Sequence, residues 1–229
     1  MRIQLYMSNT GYCSRRETER LLAAGRITVN GKTATKDTFV DTDDCILLDG
    51  SPVPMKERNI YLLLHKPTGI VCTAQRQVKN NLIDYMNYPE RIFAVGRLDK
   101  DSEGLLLLTN DGDIVNKIMR VENGHEKEYI VTVDRPYPDS FLKGMASGVE
   151  ILDQMTEPCT VTRIDEMTFR IILKQGLNRQ IRRMTKEFGY YVTRLRRVRI
   201  MNLSIDRLPY GQWRELTDEE LNVLMKDLR

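Results

Sequence analysis

Gly96-Arg97-Leu98-Asp99-Lys100-Asp101-Ser102-Glu103-Gly104-Leu105-Leu106-Leu107-Leu108-Thr109-Asn110-Asp111-Gly112 is the stretch on which the reading of this chain turns. Leu105 to Thr109 is an unbroken apolar run of strand length, the pattern of a strand buried on both faces. Asn110-Asp111-Gly112 closes it, because these residues tolerate the backbone of a tight turn. A helix then fits Asp113 to Arg120. Ahead of the run, Ile92 to Val95 leads in as extended chain. Arg97 and Asp99 stand two residues apart, which on an extended backbone puts both side chains on one face. An aspartate, a nearby arginine and a costly buried strand thus meet within a few residues.

Outward from this stretch the chain alternates strands and helices. Ile60 to Leu64 is a second continuous apolar run, ended by Lys66-Pro67-Thr68-Gly69, and Ile70 to Thr73 resumes extended structure. Lys127 to Val133 alternates like a half-buried strand. Phe141 to Ala146 reads as a helix, and Thr160 to Thr162 with Thr168 to Leu173 as paired strands. Asn178 is a candidate cap for a helix running to about Phe188, with Gly189 as its stop. Thr217-Asp218-Glu219-Glu220 is a capping box that opens a C-terminal helix with Leu221, Leu224 and Leu228 inward.

The N-terminal part reads as a small module of its own. Ser14-Arg15-Arg16-Glu17 has capping-box spacing, Leu21 and Leu22 supply an apolar face, and Gly25 follows as a stop. Ile27 to Val29 and Cys45 to Leu48 are short strands. Asn30-Gly31 is the strongest local hairpin signal, and Asp49-Gly50 marks another turn. The expected organisation is a module over 1–50, a linker over 51–58 and a larger domain over 59–229.

Composition narrows the class. The 229 residues are 41% hydrophobic and 29% charged, with a net charge of +3. That is the balance of an ordinary globular chain. No apolar run reaches the roughly 18 residues of a membrane span, and no secretory signal pattern opens the chain, so the expected location is the cytoplasm. Cys13, Cys45, Cys72 and Cys159 are scattered and, with His65 and His125, form no metal-ligand spacing; reduced thiols and no metal are expected. His65 and His125 are read as structural, and Asp101, Asp111 and Asp113 as turn residues. Charge is segregated. Residues 174–199 hold nine Lys/Arg against Glu187 alone, and Arg15, Arg16, Arg20, Arg26, Lys32 and Lys36 form a second basic run. Such patches suit a polyanion.

The long Asp99 segment resembles the catalytic signature of the ribosomal RNA pseudouridine synthases of the small-subunit branch. Lys127-Glu128-Tyr129 resembles that family's tyrosine-bearing strand, and Gly176-Leu177-Asn178-Arg179-Gln180-Ile181-Arg182-Arg183-Met184 its third motif. The N-terminal module resembles the S4 RNA-binding domain. Within the family the segments from Glu126, Gln175 and Arg199 look most like the F type of large-subunit enzyme. One departure is Ser102-Glu103-Gly104, where the family usually has a small residue before the glycine; Glu103 is expected to face outward.

The resemblance implies an α+β fold: an S4-like domain, then a catalytic domain with a mixed, largely antiparallel sheet and flanking helices. It implies isomerisation of a uridine in RNA, most simply in 23S ribosomal RNA. No atoms enter or leave overall, so no cofactor is needed. Asp99 would act as nucleophile or base at the sugar, a choice the sequence leaves open. Arg182 would hold Asp99 ionised. Tyr129 would stack under the flipped base. Arg97, Leu98, Lys100, Arg179, Gln180, Ile181 and Arg183, with Arg15, Arg16, Arg20, Arg26 and Lys32 of the module, would contact RNA. The chain is expected to act as a monomer. The alternatives are a transfer RNA or 16S ribosomal RNA target, or a non-catalytic S4 RNA-binding protein. A glycosidase is disfavoured, because that chemistry uses two flanking carboxylates.

Overall fold

The computed structural model describes residues 1–54, 56–119 and 124–228. It divides into two compact units: Met1–Ile60 with Tyr88–Ile92 and Thr109–Gly112, and the remainder from Tyr61 onward. Among the described residues no helix is long and apolar enough to cross a membrane.

The first unit comprises α1 (Ile3–Asn9), α2 (Arg15–Ala23), β1 (Ile27–Val29), β2 (Lys32–Thr33), β3 (Ile46–Leu48) and β4 (Ser51–Pro52). The strands form an antiparallel sheet in the order β2-β1-β3-β4. Asn30 and Gly31 take φ of 51° and 77° between β1 and β2, the paired positive values of a tight hairpin. Ser14 accepts from the Glu17 amide at 3.1 Å, as its position predicts. Glu17 turns to Arg20 at 3.1 Å, so the reciprocal arm expected of a capping box is not made. The helix α1 escaped the sequence reading because its N-cap, Arg2, offers no side-chain hydrogen bond. Ile3, Met7, Leu21, Leu22, Ile27 and Ile46 join these elements in one apolar core.

The second unit is built on β5 (Tyr61–Lys66), α3 (Leu82–Met86), β6 (Phe93–Ala94), β7 (Glu103–Thr109), α4 (Gly112–Met119), β8 (Lys127–Val133), α5 (Asp139–Ala146), β9 (Glu150–Ile151), β10 (Gln154–Met155), β11 (Thr160–Arg163), β12 (Thr168–Leu173), α6 (Gln180–Glu187), β13 (Val192–Ile200), β14 (Leu203–Ser204), β15 (Trp213–Glu215) and α7 (Asp218–Asp227). The main sheet runs β11-β12-β8-β13-β7-β5-β15, with β14 on β13 and β6 on β7. β12 with β8, β8 with β13, and β5 with β15 are antiparallel; β13 and β7 are parallel. The sheet is therefore mixed and largely antiparallel, as the resemblance implied.

β5 and β7 are buried at every position, which is why their apolar runs are continuous. The capping box at Thr217 and Glu220 is formed in both directions. The helix predicted from Asp113 reaches Met119, and Arg120 lies outside the described residues. Two local expectations change. Asn178 does not cap α6; Arg179 does, in left-handed backbone with φ 50° and no side-chain bond. Glu103 does not face outward: it is 6% exposed and pairs with Arg194 at 2.7 Å. Its strand is covered on both faces, so an acid there needs a cation. Because the Arg194 side chain remains 62% exposed, the pair is a half-solvated one. Glu103→Gln is expected to lower unfolding free energy by about 1 kcal/mol, measurable by urea titration.

Candidate functional site

The connection from β6 to β7 carries Asp99, and three ties fix its shape. Lys66, at the end of β5 and fully buried, donates from Nζ to the Pro67 and Ser102 carbonyls, both at 2.8 Å. The Gly69 amide donates to the Lys100 carbonyl at 2.8 Å. Arg182, on α6, donates from Nη2 to the Asp101 carbonyl at 3.0 Å and Ser102 Oγ at 3.3 Å, and from Nη1 to the Val192 carbonyl at 3.1 Å. Buried Leu98 anchors the other side of Asp99.

Among the described residues the cation paired with Asp99 is Arg179, not Arg182. Arg179 Nη1 stands 3.6 Å from Asp99 Oδ2 and 4.0 Å from Asp101 Oδ2. The left-handed backbone at Arg179 turns its side chain toward the carboxylates. Arg182 spends its guanidinium on backbone carbonyls, yet it lies close enough to feel both acids. Burial and the neighbouring Arg179 push its pKa down, and Asp99 and Asp101 pull it up. Arg182 thus bears on the placement of Asp99 through the loop it ties.

Asp99 keeps a 30% exposed side chain and opens on two adjoining cavities. One, of about 90 Å³, is walled by Tyr129, Gln180 and Ile181 among others. The other, of about 460 Å³, is lined by Arg97, Asp99, Lys127, Tyr129, Arg179 and Arg197, with apolar residues between them. Tyr129 faces both. The structure brings together Asp99, Tyr129, Arg97 and Arg179, with Arg182 behind the loop.

Other expected contacts sit differently. Gln180 is 4% and Ile181 4% exposed. Gln180 Oε1 accepts from the Leu177 amide at 3.0 Å and Ile181 packs in the core, so both build the wall rather than a surface for phosphate. The basic run 174–199 is partly spent internally: Arg194 on Glu103, Arg199 on Glu126 and Glu128, and Arg197 in the core at 3% exposure. Arg183 donates to Asn178. Arg179, Arg182, Arg183 and Lys186 still line one cationic hollow beside Tyr191. In the first unit Arg15, Arg16 and Lys32 are exposed. Arg26 is engaged by Asp49 and Arg20 by Glu17. Lys100 is exposed on the Asp99 loop. His65 shares a hydrogen bond with the Leu208 carbonyl at 2.9 Å, a structural setting. Lys66 and the inward aim of Lys127 and Arg197 are features of the site that the motifs alone do not mark. A lysine inside a strand's buried register was the available signal.

A mixed sheet with an aspartate on the loop entering a buried strand, a tyrosine across the cavity and arginines from one helix defines a class. The chain belongs to the RNA pseudouridylate synthase family, whose model matches residues 60–187, and an S4 domain matches residues 1–46. It is an RNA pseudouridine synthase, an isomerase. It is 48% identical over 227 residues to the dual-specificity RNA pseudouridine synthase RluF of Salmonella typhi, covering 98% of this chain and 78% of that one. It is 33% identical to the ribosomal large subunit pseudouridine synthase B of Bacillus subtilis, covering 97% of this chain and 95% of that one. A solved pseudouridylate synthase shares the fold, with TM-score 0.72 at 24% identity over 98% of this chain and 99% of that one.

Proposed function

We propose that this enzyme isomerises a uridine in 23S ribosomal RNA, with Asp99 as the reacting carboxylate. The observation that carries the reading is the cavity that Asp99 and Tyr129 share, rimmed by Arg97 and Arg179. A base flipped from its stack needs such a receiving pocket, and Tyr129 offers it an aromatic face. Arg179 stands beside the Asp99 carboxylate, and Arg182 ties the loop that presents it. Exposed Arg15, Arg16 and Lys32 supply an electrostatic surface for the RNA backbone, which assigns the S4-like module, near residues 1–50, to docking. The large-subunit target rests on the relatives' names and on the shared segments, since shape and accessory contacts choose the RNA. The relatives called dual-specificity support a second target, and transfer RNA is the natural candidate for one. We place the enzyme in the cytoplasm, acting as a monomer.

The test is a map of pseudouridines in total RNA from cells with and without the gene. The expected result is the loss of at least one 23S position on deletion, restored by the wild-type chain but not by Asp99→Asn. Loss confined to 16S ribosomal RNA or transfer RNA would overturn the target.

A further inference from the structure

Two cations sit beneath this cavity without an ion-pair partner among the described residues. Lys127 is 9% exposed and Arg197 3% exposed. Lys127 Nζ donates to the His125 carbonyl at 3.2 Å, and Arg197 Nε to the Leu105 carbonyl at 2.8 Å. Arg197 Nη2 is buried and has no hydrogen-bond partner among the described residues. Arg197 lies directly opposite Tyr129 in the β13–β8 register, and Lys127 precedes Tyr129 by two on the same strand. All three side chains therefore share one face of the sheet, and all three line the cavity that holds Asp99. Burial and the adjacent Arg197 both lower the pKa of Lys127.

Burying charge without a counter-charge is unfavourable. Such an arrangement is stable in use when an anion enters the site. Isomerisation generates one. The N1–C1′ bond breaks and its electron pair leaves with the base, while the sugar carbon bonds to Asp99 or loses its C2′ proton to it. The free uracil then carries the negative charge over N1 and its carbonyl oxygens. After it turns, C5 bonds to C1′ as the C1′–Asp99 bond breaks or as Asp99 returns the proton to C2′; the C5 proton then departs and N1 takes up a proton. Fixed cations in a closed site stabilise such a charge more than water does, because they need no reorganisation.

We propose that Lys127 and Arg197 form a cationic floor that holds the detached uracil anion between bond cleavage and bond formation. This rests on the cavity being the reaction site. It assigns catalytic roles to two side chains beyond the aspartate, tyrosine and helix arginines.

The test compares single-turnover rates on an RNA substrate carrying uridine with the same RNA carrying 5-fluorouridine at the target. Fluorine stabilises the uracil anion by itself. Lys127→Met should slow consumption of uridine by about 10²-fold, slow consumption of 5-fluorouridine distinctly less, and leave RNA affinity unchanged. Lys127→Arg, which keeps the charge, should recover most of the rate. If Lys127→Met fails to fold, Lys127→Gln serves for the same comparison. Equal losses on both substrates, or a loss in affinity alone, would overturn the floor. Asp99→Asn run beside it separates the underlying reading. If that variant consumes either substrate at the wild-type rate, the cavity is not the reaction site, whatever Lys127 does.

Discussion

Asp99→Asn removes tritium release from RNA containing 5-tritiated uridine, with a fall of at least about 10⁴-fold, the scale seen when a reacting group is deleted. RNA binding survives. The substitution is nearly isosteric and leaves the loop's ties intact: Lys66 on the Ser102 carbonyl, Gly69 on the Lys100 carbonyl, and Arg182 on the Asp101 carbonyl and Ser102 Oγ. None of these uses the Asp99 carboxylate. What is lost is an oxygen able to attack the sugar or take its proton, together with the charge that draws Arg179 to 3.6 Å. A neutral amide neither attacks C1′ nor accepts a proton from C2′, so both open routes stop. Without the Asp99 charge Arg179 keeps only Asp101, at 4.0 Å, and its guanidinium is more available to phosphate, so affinity holds or rises slightly. The decisive measurement pairs tritium release with a filter-binding titration on the same preparations. Equal release by variant and wild type would refute the role of Asp99. Lost binding with lost release would place Asp99 in docking rather than chemistry.

The elements legible in the sequence are those whose signals are local. The unbroken apolar runs of β5 and β7, the alternation of Lys127 to Val133, and the Thr217–Glu220 box each carry their period within a few residues. β13 resisted for a physical reason. Its register shifts between Val192 and Arg194 and again between Arg197 and Arg199, and each shift resets the two-residue alternation. Arginines at inward positions complete the disguise. A segment crowded with cations reads as a solvated, RNA-facing surface, whereas Arg194, Arg197 and Arg199 are held by Glu103, the Leu105 carbonyl and the Glu126–Glu128 pair. The exchange of Arg182 for Arg179 beside Asp99 was illegible for a similar reason. Sequence spacing places both at the start of one helix, but Arg179 is its N-cap and Arg182 lies within it, and which one reaches the carboxylate depends on the positive φ at Arg179 and on two carbonyls, Asp101 and Val192, that belong to other segments. Glu103 belongs to the same category, since its partner lies 91 residues away.

The largest effect on stability is expected from Gly104→Ala. Gly104 holds φ +115°, backbone that L side chains rarely adopt, and it lies opposite Arg197 in the parallel β7–β13 pair. A Cβ there would stand 2.2 Å from the Arg197 carbonyl oxygen, 2.6 Å from its nitrogen and 2.9 Å from its carbonyl carbon. These are backbone atoms, so no rotamer change relieves the overlap. Nor is β13 at liberty to withdraw, because β8 pairs along its other edge and Arg197 Nε is bonded to Leu105. Backbone strain and steric overlap add, and the cost belongs among the exceptional ones, at least about 4 kcal/mol. For a chain of this length that lowers Tm by roughly 10 °C or more. Gly176→Ala is the control: it lines the same cavity, its added carbon meets nothing within 4 Å, and its φ is not positive, so unfolding free energy should stay within about 0.5 kcal/mol. Differential scanning calorimetry of the two variants beside wild type decides the matter; similar Tm values would mean that β7 and β13 do not approach as closely as described. The same displacement carries a catalytic cost. Arg197 stands across from Tyr129, so any shift of β13 that admits the methyl group moves the floor of the cavity relative to Asp99. Whatever Gly104→Ala protein folds at low temperature should therefore bind RNA and isomerise slowly, a loss in kcat.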